Sequence, residues 1–580
     1  MLLNLRDALN RPTPAELKGL QDIPLKGSRV SKADLPLLAI LFLLVLPLSV
    51  PAQRQERGVD NWRPLHYDVA VAFNDQITEI TTARTEITLQ VIKPNLTSID
   101  LDFGDMPIDS VSVAGVPARF ERKPELLNVV LARPAKQGDK LDITVNYHGR
   151  PKDGLIFATD RDGRASATGD NWPNRVHQWI PCLDHPSAKA TVSFTVAAPP
   201  RELVVANGKS VTMTRNGMAP ALWRFEETKP IPAYCMVIAV SEGAKIDANE
   251  PSVTPLSYYV AKRDAAYAPK GFSVAAPALS FFSQTVAPYP YEKLALIVGA
   301  TRFGGMENSS AIVFTNNLFD LRSNEKMSPR FGIPTRIESV VAHEIAHQWF
   351  GDSVTESTWA DLWLSEGFAT YCAGLFIERY ENETAFRAYM QEAAGRYFTY
   401  EKKRSAPIHD TATQDLMKLL NENNYEKGAW VLHMLRERLG DEAFFKGLRD
   451  YYNAHREANA TTEDLRDALE RASGKNLREF FARWVYGSGH PVYELHYGSV
   501  EHSGAGEFLT ITLNQIQTGE AFLDPVAIEI VCADATKKRY TISPTSKTAT
   551  LQVHLDTFAT AKAIKLDPDD ALLKEVVTKP

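Results

Sequence analysis

The pentad His343-Glu344-Ile345-Ala346-His347, followed after eighteen residues by Glu366, constrains this chain more than any other stretch. On a helix, positions four apart lie about 40° apart around the axis, so both imidazoles can reach one ion. Glu344 borders that face without being a third ligand from the same turn. Two imidazoles and a carboxylate suit zinc and leave a fourth position open, which separates a catalytic zinc from a structural one. A bare pentad of this kind arises by chance in about one chain in fifty of this length. The bland alternative is two helix histidines satisfied by core hydrogen bonds. The downstream acid weighs against it. Glu366 opens the apolar run Glu366-Gly-Phe-Ala-Thr-Tyr-Cys-Ala-Gly-Leu-Phe-Ile377, expected as a second buried helix, and burying a bare carboxylate is costly unless a cation meets it.

The 580 residues allow three or four domains. Apolar residues at 44% and charged residues at 23% are those of a globular protein with ample core. The net charge of -7 is mixed along the chain. With no basic stripe, a nucleic-acid partner is not expected. Cys182, Cys235, Cys372 and Cys532 are too scattered for a disulfide framework, so isolated buried thiols are expected, with a Cys182–Cys235 bridge open to an exported protein. No feature fixes an oligomeric state.

Leu35–Leu48 is a nearly unbroken apolar run, short of the roughly twenty residues a spanning helix needs. Lys32 precedes it and Val50-Pro51-Ala52 follows, so residues 1–52 read as a signal peptide for a periplasmic or secreted protein. An uncleaved membrane anchor through Leu35–Leu48 and a buried helix are the other readings. The long stretch ahead of the run exceeds an ordinary charged region, which points either to a later start of translation or to an anchor with a short tail.

From Tyr67 onward, Tyr67-Asp-Val-Ala-Val-Ala-Phe73, Thr85-Glu-Ile-Thr-Leu-Gln-Val91 and Leu141-Asp-Ile-Thr-Val-Asn-Tyr147 alternate with period two, so 53–247 is expected as a β domain. In 248–488, the apolar runs Leu294–Val298 and Ala311–Phe314 flank Phe303-Gly304-Gly305-Met306-Glu307-Asn308. Paired glycines at an edge let a substrate backbone approach, and Glu307 offers a carboxylate suited to a protonated α-amine. A surface turn with a solvated Glu is the alternative. After Glu366, apolar spacing of three and four predicts helices over Leu416–Leu420, Tyr425–Leu439, Glu442–His455 and Thr462–Ala472. Short alternating segments in 489–580 predict a small β-sandwich.

Three segments in order also carry a resemblance: Val341–Gly351 with Asp361–Ala369, the Phe303–Asn308 stretch, and Tyr425-Glu426-Lys427-Gly428. Over about residues 60 to 570 the chain resembles the zinc aminopeptidases that include aminopeptidase N and leukotriene hydrolase. The resemblance implies a multidomain α+β protein: an amino-terminal β-sheet saddle, a thermolysin-like α/β catalytic domain with a helical half, and a small Ig-like β-sandwich. It implies peptide substrates and one zinc ion on His343, His347 and Glu366. Glu344 would be general base then general acid, Tyr425 the oxyanion donor, and Gly304, Gly305, Met306, Glu307 and Asn308 the substrate-binding stretch. An epoxide hydrolase on the same metal site and a catalytically inactive peptide-binding scaffold are the alternatives. Two positions depart from the family pattern. Gly169-Asp170-Asn171-Trp172-Pro173 stands where relatives carry a Gln/Glu-x-Glu element, with Asp170 either supplying the missing charge or capping a turn. Ala373 stands where relatives often carry an acid.

Overall fold

The computed structural model describes residues 53–577 apart from 216, 218, 321–335, 504–505 and 556–560. Leu35–Leu48 lies outside them. Among the described residues no helix is long and apolar enough to cross a membrane.

The period-two segments build an eight-stranded sheet. Trp62–Phe73 pairs antiparallel with Ile80–Val91 and parallel with Lys189–Ala198. Its alternate residues Tyr67, Val69, Val71 and Phe73 are buried, as one solvated and one packed face require. Ala221–Pro232, Lys140–Gly149 and the shorter edge strands extend the sheet on either side, and a three-stranded and a four-stranded sheet complete this β region. All four cysteines are buried and free, so Cys182 and Cys235 form no bridge.

Five strands carry the site: β1 (Ala244–Asp247), β2 (Leu256–Val260), β3 (Leu294–Gly299), β4 (Gly305–Met306) and β5 (Ala311–Thr315), in the order β1-β2-β3-β5-β4. This sheet therefore begins slightly ahead of the border expected after residue 247. β2, β3 and β5 run parallel, and β4 pairs antiparallel at the edge. Leu294, Leu296, Ile312 and Phe314 turn one way, into a core shared with the helices. Ala295, Ile297, Ala311 and Val313 turn the other way, into the core of the amino-terminal strands. Both faces are covered, which is why these strands read as continuous apolar runs.

The longer described helices are α1 (Ala275–Thr285), α2 (Ile337–His347), α3 (Trp363–Tyr380), α4 (Glu383–Glu401), α5 (Gly428–Leu439), α6 (Asp441–His455) and α7 (Thr462–Ser473). Every residue of α3 from Trp363 to Ile377 is buried, the signature of a helix packed all round. Asn382 caps α4, and Thr461 with Asp464 forms a capping box on α7. Two expected helices differ. Leu416–Leu419 is a single 3-10 turn whose Asp415 side chain accepts from Met417 N. The segment expected to begin as α-helix at Tyr425 opens instead with a π-turn, Asn423–Lys427, before α5. The final strands form a four-stranded and a three-stranded sheet whose inner faces join the helical core.

Candidate active site

The edge strand β4 and the helices α2 and α3 converge on one cleft. It is lined by Gly305, Met306 and Glu307, by His343, Glu344 and His347, and by Glu366 and Tyr425. Trp172, Phe303 and Leu420 close its walls. Of the expected substrate-binding stretch, two residues stay behind the wall. Gly304 accepts from Thr315 N at 3.0 Å, and the fully buried Asn308 donates to the Met306 carbonyl at 3.2 Å. Both hold β4 in place.

His343 and His347 lie one turn apart on α2, with their Nε2 atoms 3.0 Å apart. Glu366, from the first turn of α3, sets Oε2 3.4 Å from His343 Nε2 and 3.3 Å from His347 Nε2. Atoms bound at about 2.1 Å in a tetrahedron are themselves about 3.4 Å apart, so this triangle has the dimensions of a zinc donor set. Two further observations fit a cation. Glu366 Oε2 is buried, with no hydrogen-bond partner among the described residues. Burial alone would lower the basicity of His347, yet Glu307, Glu366 and Glu344 outweigh it and push the imidazole up to about 10. The field at this point favours positive charge. Burial likewise opposes ionisation of Glu366, and the imidazoles of His347 and His343 reverse that, holding it at about 2.

The histidine orientations are fixed from outside. His347 Nδ1 lies 3.1 Å from the Phe350 carbonyl and 3.1 Å from Ser365 Oγ, which supplies the outer support a ligating imidazole needs. Gly351, at φ 124°, makes room for this: a Cβ there would lie 2.4 Å from Ser365 Oγ. His343 Nδ1 is buried with no hydrogen-bond partner among the described residues, and its ring stacks on Tyr425 at 6.0 Å.

Glu344 is buried, and burial followed by the charge of Glu307 raises its carboxyl well above the ordinary range, the nearby His347 opposing. Glu307 is raised in the same way to about 7. Tyr425 reaches the cleft because α3 and the start of α5 touch backbone to backbone. A Cβ on Gly367 would lie 3.0 Å from Gly428 Cα and from the Asn424 carbonyl. Burial, then the charge of Glu366, keep the Tyr425 phenol protonated.

Asp170 does not enter the cleft. It is fully buried, accepting from Arg175 Nη2 at 3.0 Å and from Thr301 Oγ1 at 3.1 Å. From sequence, no role was assigned to Trp172, Phe303, Gln348, Gly351, Ser365 or Leu420. Only the Gly-Gly and Trp-Pro punctuation beside two of them carried a local signal.

Comparison with known families agrees with this geometry. Residues 63–235 match the peptidase M1 N-terminal domain and residues 271–484 the peptidase family M1 domain, together well over half of the chain. The chain belongs to peptidase family M1. It is 27% identical over 444 residues to a probable aminopeptidase 1 of Saccharolobus solfataricus, covering 74% of this chain and 55% of that protein. It is 26% identical over 540 residues to aminopeptidase 2 of Candida albicans, covering 88% and 56%. It is 28% identical over 413 residues to the tricorn protease-interacting factor F2 of Thermoplasma acidophilum, covering 68% and 50%. The chain thus matches about half the length of these curated relatives.

Proposed function

We propose that this chain is a zinc aminopeptidase that removes the first residue from peptides. The carrying observation is that Glu307 opens into the same cleft as the His343, His347 and Glu366 donor triangle. A zinc ion held by those three side chains would supply the Lewis acid that activates water and polarises a carbonyl. Everything else falls to the chain. Glu307 pairs with the substrate's ammonium and thereby fixes which peptide bond reaches the reacting position. The Gly305 backbone, without a side chain, lets the extended peptide lie close to β4. A carboxylate Oε of Glu344 takes a proton from water and delivers it to the departing amine nitrogen, base then acid. The Tyr425 hydroxyl donates a hydrogen bond to the carbonyl oxygen as negative charge develops there. Walls of Trp172, Phe303 and Met306 keep bulk water away.

The test pairs metal content with turnover. The purified chain is expected to hold one zinc and to hydrolyse aminoacyl-arylamides, with N-acetylated versions inert. Glu344→Gln is expected to keep the metal and lose at least about a thousandfold in kcat. Turnover of acetylated substrates at the same rate would remove the exopeptidase reading.

For location, we propose export, by a cleaved signal or an anchor within the first 52 residues, supported by the apolar run Leu35–Leu48 between Lys32 and Ala52. Mass spectrometry of the mature chain separates the two: a start near Gln53 means cleavage, and retention of the run means an anchor.

A further inference from the structure

One wall of the cleft does no more in the steps above than exclude water. Trp172 lines the cleft with Phe303, Met306 and Leu420, and its position is rigidly set. Its ring meets Phe303 edge-on at 6.2 Å and Trp359 edge-on at 5.8 Å. Arg175 Nε donates to the Trp172 carbonyl at 2.7 Å. The adjoining Asn171 donates to the Met236 carbonyl and accepts from Trp179 Nε1 at 3.0 Å. The indole N–H is buried and has no hydrogen-bond partner among the described residues. Two residues earlier, the Asp170 carboxylate is consumed by Arg175 and Thr301. Among the described residues, the charged side chains lining the cleft are therefore Glu307, Glu344, Glu366 and the histidines. Glu344 and Glu366 are committed to proton transfer and to the donor triangle, so Glu307 alone remains for an ammonium.

Resting on the aminopeptidase reading, we infer that Trp172 determines specificity at the first substrate residue. The side chain of that residue packs on the indole, and Glu307 holds the ammonium without a second carboxylate. The substrate class is peptides that begin with an uncharged, apolar residue. An acidic side chain would face three carboxylates, and among the described residues no lysine or arginine lines the cleft. A basic one would leave water for aromatic walls, with the one free carboxylate already paired to the α-amine. Either charge would be desolvated without compensation, whereas an aliphatic or aromatic side chain gains contact area on the indole.

The experiment uses the zinc-loaded full chain and arylamides of alanine, leucine, phenylalanine, glutamate and arginine. Leucine and phenylalanine substrates are expected to exceed glutamate and arginine by about a hundredfold or more in kcat/KM. Trp172→Ala is expected to raise KM for the leucine substrate about tenfold while its kcat changes less than threefold, shrinking the leucine-to-alanine ratio. Trp172→Phe, which keeps an aromatic wall, should retain most of that ratio and serves if the alanine variant does not fold. Asp170→Asn, of the same shape, should shift KM less than threefold where Glu307→Gln shifts it at least thirtyfold. Glutamate or arginine substrates cleaved as well as leucine, an unaltered leucine-to-alanine ratio in both Trp172 variants, or an Asp170→Asn effect equal to that of Glu307→Gln would overturn this inference. Absence of hydrolysis of every arylamide by the wild-type chain would instead overturn the reading of the site on which it rests.

Discussion

Gly305 leaves no room for a side chain: a Cβ built there would lie 2.3 Å from the Glu344 carboxyl carbon. The buried carboxylate cannot swing into solvent, so Gly305→Ala must displace either Glu344, the proposed base, or β4. Because proton transfer tolerates little misplacement, kcat is expected to fall about a hundredfold with metal content intact. Gly395 is the matched control, since a Cβ there, on the exposed face of α4, meets nothing within 4 Å. Gly395→Ala should leave kcat alone and stabilise by about 0.5–1 kcal/mol. Equal losses in both variants would remove steric displacement of Glu344 as the cause. Away from the cleft, His177 sets Nδ1 2.7 Å from Asp184 and Nε2 2.8 Å from Glu125, the arrangement of an imidazolium donating twice. Burial works against that charge, but the two carboxylates prevail and raise the group from 6.5 to about 9. With the folded value above the ordinary one, its stabilisation is complete below pH 6.5 and is lost as pH rises through about 9. The urea midpoint of His177→Ala should therefore trail wild type at pH 6, by an equivalent of about 1–2 kcal/mol given the exposure of Glu125, and meet it near pH 10. A gap that is constant with pH would mean the ring acts by packing alone.

Elements meet at this site through Gln348, the first residue past α2. Its amide is fully used: Nε2 donates to the Glu307 carbonyl and to Asp352 Oδ2, both at 2.8 Å. Oε1 accepts from Ser310 N at 2.8 Å and from the Tyr289 hydroxyl at 3.1 Å. The helix that carries both histidines is thus tied to the backbone of Glu307, the residue proposed to receive the ammonium. Gln348→Leu would leave several buried groups unpaired, a cost of about 1–3 kcal/mol. If the tie positions Glu307, KM for aminoacyl substrates rises several-fold while zinc content holds. A variant that is destabilised with KM unchanged would show that the amide serves only the fold. The sequence disclosed little of this link. The histidines, Glu344 and Glu366 are legible because helical spacing is a local rule, and Glu307 because paired glycines announce an edge. Gln348, Ser365 and Trp172 gain their roles from residues tens to more than a hundred positions away, which no window of sequence contains. Tyr425 was legible by motif, but not the π-turn that carries it, nor the Gly367–Gly428 contact that brings it to Glu366. A π-turn is a local irregularity settled by packing rather than by propensity.

At the scale of the whole described molecule, the site sheet lies between the amino-terminal strands and the helices, so the cleft depends on those two sides keeping register. A short segment straps them together. Arg54 is buried, its backbone N–H donates to the Thr411 carbonyl at 2.6 Å, and its Nη1 donates to the carbonyls of Asp410 and Thr413 at 3.1 and 2.8 Å. Glu56 accepts from Arg54 and His185 and from the Trp359 backbone N–H. Trp359 is the ring on which Trp172 rests. The strap therefore joins the β region, the helical half and the support behind the cleft wall through charge-assisted hydrogen bonds, the stronger kind. Removing the guanidinium by Arg54→Ala leaves two buried carbonyls without their donor and takes from Glu56 one of its three, a cost of about 2–3 kcal/mol. The chemistry of the cleft touches none of these groups. The expected outcome is a lower thermal midpoint and faster cleavage by an added protease near 410–416, with kcat for a leucine arylamide within about threefold of wild type. A matching fall in kcat at temperatures far below the midpoint would mean that the strap shapes the cleft itself, transmitting through Trp359 to Trp172.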